Sequence, residues 1–138
     1  MKLPVLNPSL RELLNHVGLL AMRVGFAGFM AMNHGWGKLM SWSEKSGKFA
    51  DPLGVGHAPS LALAIFGELV CPLLIMVGFG TRLAAVPAAI TMLVATFGVH
   101  GSDVLGDGEH ALLFAFAFTC IALLGPGRYS IDARRGAF

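Results

Sequence analysis

Four long apolar segments make up most of this 138-residue chain, and they restrict it to very few folds. Only 13% of its residues are charged, against roughly 25% in a typical soluble domain, and its mean hydropathy is +0.70. Apolar segments of about 17 to 25 residues are long enough to cross a bilayer as helices. The sequence therefore predicts an all-α integral membrane protein, a four-helix bundle built from two antiparallel hairpins.

The predicted spans cover residues 10–33, 59–77, 82–100 and 109–124, within a single membrane domain of residues 1–138. A polar segment at 38–58 separates the first two spans, and a Gly/Asp-rich loop at 101–108 separates the last two. The last two spans are short for a bilayer of about 30 Å, so tilting or local thinning of the membrane is expected.

The distribution of positive charge orients the bundle, because loops rich in lysine and arginine stay in the cytoplasm. With four spans, both termini and the turn between the second and third spans share one side of the membrane. That side carries Lys2, Arg11, Arg82, Arg128, Arg134 and Arg135, and the opposite side carries Lys38, Lys45 and Lys48. The excess predicts that both termini face the cytoplasm.

Two ionisable residues lie well inside the apolar segments. Each costs roughly 2.5–3.5 kcal/mol at a helix centre unless a partner stabilises it. Arg23 precedes the end of the first span by about 10 residues, and Glu68 follows the start of the second by about 9, which gives depths of about 15 and 13 Å. The similar depths predict an ion pair of Arg23 and Glu68. Such a pair either fixes helix register alone or belongs to a proton or ligand site.

A second polar group maps to the outer ends of the helices and contains His34, His100 and His110, with Lys38 and Glu109 at the same level. His34 and Lys38 are four residues apart and share a face if the first helix continues that far. Imidazoles with a carboxylate can bind a transition metal, or they can hydrogen-bond a quinone headgroup and relay its protons. They can also be ordinary interfacial residues. No spacing marks a metal site, so no metal ligand is assigned, and metal and haem binding stay open.

The motifs that carry these residues, taken together, resemble the DoxX family over roughly residues 16–132. They are Arg23 with His34-Gly35-Trp36-Gly37-Lys38-Leu39, then Gly67-Glu68, Gly78-Phe79-Gly80-Thr81-Arg82-Leu83-Ala84-Ala85, His100, Glu109, and Gly125-Pro126-Gly127-Arg128-Tyr129-Ser130-Ile131-Asp132. The resemblance implies a small bacterial inner-membrane protein with four spans. It also implies an association with membrane redox systems such as thiosulfate:quinone oxidoreductases, or with redox and maturation partners.

The favoured hypothesis is a DoxX-like membrane subunit of a quinone-linked redox system. Its catalytic candidates are His34, His100, Glu68 and Arg23, and its candidates for binding a quinone cofactor are His34, Lys38, His100, Glu109 and His110. The alternatives are a non-enzymatic membrane scaffold or maturation factor for a redox partner, and a small metal-binding or transport protein. Membrane lipid and either a partner protein or a second copy are the expected partners. A net charge of +2 without a basic run argues against nucleic acid.

Overall fold

The computed structural model describes residues 7–137, and the regular elements of this part of the chain are helices. Three of them, at Pro8–Met40, His57–Val77 and Thr81–Val99, are each long and apolar enough to cross a membrane. The predicted class, an all-α membrane bundle, is therefore confirmed. In chain order the helices are α1 (Pro8–Met40), α2 (Trp42–Lys45), α3 (His57–Val77), α4 (Thr81–Val99), α5 (Glu109–Leu124) and α6 (Ile131–Arg134).

The fourth predicted span corresponds to α5, whose bounds match the predicted segment 109–124. This helix has 16 residues, which gives a length of about 24 Å, less than the roughly 30 Å of hydrocarbon in a bilayer. The number of spans therefore stays a prediction, and a full crossing by α5 requires a locally thinner membrane.

Helix α1 extends further than its predicted span of 10–33. It begins at Pro8, where the side chain of Asn7 accepts a hydrogen bond from the Ser9 amide at 3.1 Å. It then continues for 33 residues through Gly35 and Gly37 to Met40, a length of about 50 Å. The helix continues past the end of the predicted span because an interior glycine costs a helix only about 1 kcal/mol, and packing against α3 offsets that cost.

The four long helices form a ring in which sequence neighbours run antiparallel. Helix α1 packs on α3, α3 on α4, α4 on α5, and α5 on α1. The interface of α4 with α5 is the most extensive. Small side chains allow these two backbones to approach closely, and the buried alanines here are Ala84, Ala85, Ala88, Ala89, Ala111 and Ala115.

Large apolar side chains cover the outside of the ring. Leu83 is 80% exposed and Leu123 is 71% exposed, and both lie on helices that are apolar along their length. A soluble protein rarely exposes so much contiguous apolar surface. This surface contacts lipid.

Each of α1, α3 and α4 contains one π-helical turn, at Ala31–Gly35, Phe66–Val70 and Ala95–Val99. In α3 the cause is Pro72, which lacks the amide hydrogen that would bond to the Glu68 carbonyl, and the Cys71 amide instead bonds to the Phe66 carbonyl. The turns of α1 and α4 lie toward the end of the bundle that carries the connecting segment 41–56, and the turn of α3 lies midway along its helix. Turns of this kind widen a helix locally and occur frequently at functional sites.

Candidate functional site

A cavity of about 510 Å³ lies inside the ring at the end that carries segment 41–56. We call it the polar chamber, and its size falls within the range of small-molecule sites. Apolar side chains, among them Met30, Met92 and Phe114, form much of its wall. The ionisable side chains that line it are His34, Lys38, Glu68, His100, Asp107 and His110.

The central feature of the chamber is an ion pair of Lys38 and Glu68, in which the Lys38 ammonium donates a hydrogen bond to the Glu68 carboxylate. Glu68 is buried, and the Lys38 side chain is 20% exposed. Pairing and hydrogen bonding are what make a charge tolerable in a bundle interior. The predicted ion pair of Glu68 with Arg23 was therefore wrong, and Lys38 takes the place assigned to Arg23.

The length of α1 explains this error. The predicted depth of Arg23 was measured from a helix end at residue 33, but α1 continues to Met40. Gly35, which packs on the backbone of Glu68, lies 12 residues beyond Arg23, about 18 Å along the helix axis. Arg23 is therefore well removed from the level of Glu68 and does not line the polar chamber.

Gly35 sets the close approach of α1 and α3 beside the ion pair. A Cβ atom at this position would lie 2.4 Å from the Glu68 carbonyl oxygen and 2.6 Å from the Leu69 Cβ. Glycine therefore allows direct backbone packing at the carbonyl that Pro72 leaves without its helical partner. Helical side chains lean toward the N-terminus of their helix, so Lys38, three residues later, reaches back to the Glu68 carboxylate.

The three predicted histidines border the same chamber, as does Lys38. The His34 ring packs edge-to-face on Phe114 with 5.8 Å between ring centroids, and it lies within electrostatic reach of Glu68, Lys38 and His110. His100 follows the end of α4, and His110 lies in the first turn of α5. The other predicted binding residue, Glu109, is exposed and lies outside the chamber lining.

The histidines share a cavity without forming a metal-ligand set. Among residues 7–137, no three His, Cys, Asp or Glu side chains lie close enough together to hold one ion. The chamber offers instead a cation, a carboxylate and separate imidazoles, which suit hydrogen bonding and proton transfer.

Several chamber residues were not predicted from sequence. Asp107 reaches the chamber because the α4–α5 loop folds over it, and Phe49 and Ala50 reach it from the 41–56 segment. Phe49 is held by a 2.6 Å hydrogen bond between its carbonyl and the His57 ring. No local pattern marks such residues, since their position depends on how two irregular loops close over the bundle.

Arg23 belongs to a second polar cluster at the opposite end of the bundle. Its Nη2 donates to the Tyr129 carbonyl at 2.6 Å, and its Nη1 lies against Gly78, whose left-handed backbone (φ +73°) ends α3. Asp132 joins the same cluster through its amide, which donates to the Gly78 carbonyl at 2.8 Å. We call this group of residues 23, 78–81 and 129–132 the C-terminal clasp.

The Asp132 carboxylate ties the clasp together. It accepts hydrogen bonds at 2.8 Å from the amides of Gly80 and Thr81 and from the Thr81 hydroxyl. Burial of this carboxylate favours its neutral form, but these hydrogen bonds and the charge of Arg135 outweigh burial and hold the pKa of Asp132 below its ordinary value.

The fold and chamber define a class: a small helical membrane protein with a buried ion pair in a polar cavity. The chain belongs to the DoxX family, whose model matches residues 18–101. It is also similar to inner membrane protein YqjF of Escherichia coli (strain K12), with 30% identity over 125 residues, 86% of this chain and 92% of that protein. No solved structure matches it. This relative and the three long apolar helices support a multi-pass inner-membrane protein.

Proposed function

We propose that the protein binds a quinone in the polar chamber, as a membrane subunit of a redox system. The observation that carries the proposal is the buried ion pair of Lys38 and Glu68 in a cavity that His34, His100 and His110 also line. A quinone headgroup has two carbonyl oxygens that accept hydrogen bonds. The Lys38 ammonium and the chamber imidazoles are donors of the required kind, and the apolar wall suits the ring.

The chamber residues divide into two roles. Lys38 donates to a quinone oxygen while Glu68 holds its ammonium in place, and the His34 ring is oriented by its packing on Phe114. His100 and His110 are exposed, so their imidazoles link the chamber to water as a path for protons. When bound, the quinone supplies two-electron, two-proton redox chemistry.

Electron exchange is assigned to a partner protein. The side chains of the chamber provide hydrogen bonds, charge and protons, none of which carries electrons. The chain is then the quinone-binding and proton-handling component, and the partner supplies the redox centre.

The test is quinone binding by the purified protein in lipid nanodiscs, with decylubiquinone as the probe. Binding is followed through the fluorescence of Trp36 and Trp42, which lie at the chamber end. We expect His34→Ala and Lys38→Met each to weaken affinity about tenfold, the scale of a lost charge-assisted hydrogen bond.

Lys48→Met is the matched control, because Lys48 lies in the connecting segment at the chamber end of the bundle and pairs on the surface with Glu44, at 3.6 Å. It should bind as the wild type does. Equal affinity in all variants, together with a stable partner protein that co-purifies, would contradict quinone binding and favour a scaffold.

We further propose that both termini face the cytoplasm. The support is the charge bias of the loops: Lys38 is engaged inside the bundle, so Lys45 and Lys48 are the remaining cations of the opposite side. A reporter fused to the C-terminus should be fluorescent if it is GFP and inactive if it is alkaline phosphatase; the reverse pattern would contradict this orientation.

A further inference from the structure

A second cavity, of about 330 Å³, lies between α3 and α4 beneath segment 46–56. We call it the apolar chamber. Its walls are hydrocarbon, supplied chiefly by Leu53, Leu63, Phe66, Ile90 and Val94. Its size also falls at the lower end of the range of small-molecule sites.

The few hydroxyl groups on the wall of this cavity have partners already. The Ser60 hydroxyl donates to Asp51 at 2.7 Å, and the Thr91 hydroxyl donates to the Pro87 carbonyl at 2.8 Å. Glu68 lies at the inner end and is paired with Lys38. The wall between these points therefore suits an occupant without hydrogen-bonding groups.

The apolar chamber opens on the side of the bundle that faces lipid. Leu63 is 51% exposed, Phe66 46% and Ile90 54%, and these three residues belong to the facing helices α3 and α4. Contact between α3 and α4 is concentrated near their shared turn and at the π-turn of α3, so the gap lies toward the other end. Pro52, packed against Gly98, closes the gap from the loop side.

The two chambers meet along a common wall. Five residues line both of them: Phe49, Ala50, Glu68, Ala95 and Val99. A polar compartment and a lipid-facing hydrocarbon compartment thus adjoin at Glu68.

We propose that the ligand is an amphiphile whose hydrocarbon chain occupies the apolar chamber, entering from the membrane between α3 and α4 while its head occupies the polar chamber. This inference rests on the proposed function, which identifies the head of the amphiphile as a quinone. The hydrocarbon chain in the apolar chamber is then the isoprenoid or alkyl tail of that quinone. The chamber wall is as apolar as lipid, so the tail passes from one hydrocarbon surrounding to another without a desolvation cost.

The experiment measures the ratio of dissociation constants for tail-free ubiquinone-0 and decylubiquinone by calorimetry in lipid nanodiscs. Ile90→Trp fills the chamber from α4, and Leu63→Trp fills it from α3, so that failure of one variant to fold leaves the other. Leu83→Trp is the matched control, since Leu83 lies on α4 but points to lipid, 80% exposed and outside both chambers. Partitioning of the tail into lipid is the same in all of them and cancels in the comparison.

We expect the ratio to fall at least tenfold in Ile90→Trp and Leu63→Trp and to stay within twofold of the wild type in Leu83→Trp. A ratio that is the same in all four proteins would overturn the inference. The inference would also be overturned if Ile90→Trp weakened the binding of decylphosphocholine but not that of decylubiquinone, because the chamber would then hold the acyl chain of a membrane lipid.

The failure of this inference differs from the failure of the proposed function. If Lys38→Met weakens ubiquinone-0 binding but Ile90→Trp leaves the ratio of dissociation constants unchanged, the headgroup assignment stands and the tail assignment falls. If Lys38→Met changes nothing, the quinone headgroup assignment falls. Decanol binding that depends on Ile90 would then still support a chain-binding chamber.

Discussion

Lys38 and Glu68 each lie in the bundle interior and each rely on the other as a charge partner. The net contribution of a buried ion pair to stability is small, because desolvation offsets much of the attraction. Removing one partner is different, since it leaves an uncompensated charge in a low-dielectric interior. The pair is therefore a point at which single substitutions should be far more harmful than a double substitution.

Lys38→Met and Glu68→Gln should each destabilise the protein by about 3–5 kcal/mol, and the double variant should recover much of that loss. The measurement is the midpoint of thermal unfolding in detergent. Lys48→Met, which breaks the exposed contact with Glu44, should change stability by less than about 1 kcal/mol. Additive losses in the double variant would show that the two side chains are not coupled.

Asp132 should make stability depend on pH in the acidic range. The pKa of its carboxyl is held below the ordinary value in the folded protein, so its contribution is present above the unfolded-state pKa and is lost as pH falls through the folded-state pKa. Asp132→Asn should lower the unfolding midpoint at pH 7, and the gap to the wild type should shrink as the pH falls below about 4. A gap that is constant from pH 7 to pH 3 would contradict this assignment.

At the scale of helices, the approach of α1 to α3 depends on one missing side chain. Gly35→Ala places a Cβ 2.4 Å from a backbone oxygen that cannot move aside cheaply. Overpacking of this kind typically costs about 1–3 kcal/mol, and it should also weaken quinone binding because it separates Lys38 from Glu68.

Gly37→Ala is the control for this substitution, because it lies on the same helix with nothing within 4 Å of the added methyl group. It should be neutral or stabilising, since alanine favours a helix by up to about 1 kcal/mol over glycine. Equal losses in the two variants would point to helix flexibility rather than packing. The measurement is the unfolding midpoint, with decylubiquinone affinity as the second readout.

Sequence patterns were sufficient to locate the ends of those helices that begin and end at turns. The spans 59–77, 82–100 and 109–124 all lie within two residues of α3, α4 and α5. The end of α1 was missed because Gly35 and Gly37 were taken as breaks, whereas tertiary packing retains them in the helix. That single error moved Arg23 to the wrong level and assigned Glu68 the wrong partner.

The π-turns show a further limit of sequence analysis. Pro72 marks the one in α3, but Ala31–Gly35 and Ala95–Val99 contain no comparable signal. His34 lies six residues before the end of α1, yet it lines the same chamber as His100 and His110, which lie at the ends of α4 and α5.

Across the whole molecule, the polar side chains are divided between two ends of an apolar bundle. The polar chamber lies at one end and the C-terminal clasp at the other, about 18 Å away along α1. The clasp joins α1 to Tyr129 through Arg23, and it joins the α3–α4 turn to α6 through Asp132. This division predicts that the two ends carry separable properties, ligand binding and the anchoring of the C-terminal segment.

Arg23→Gln should therefore lower stability and leave the decylubiquinone affinity of the folded protein within about twofold of the wild type. Arg23 is 1% exposed and its guanidinium donates to the Tyr129 carbonyl, so its loss removes a buried contact to the C-terminal segment. The unfolding midpoint and the dissociation constant, measured on the same preparation, check both parts. A large loss of affinity in well-folded protein would show that the ends are coupled.

The central claim, that the polar chamber is the ligand site, is tested most directly by photoaffinity labelling with an azidoquinone followed by peptide mapping. The chamber is lined from four helices and two loops, so we expect labels on the segments that contain residues 30–38, 49–50 and 107–114, and we expect excess decylubiquinone to prevent them. Labels confined to the lipid-facing surface around Leu83 and Leu123, and unaffected by competitor, would contradict it.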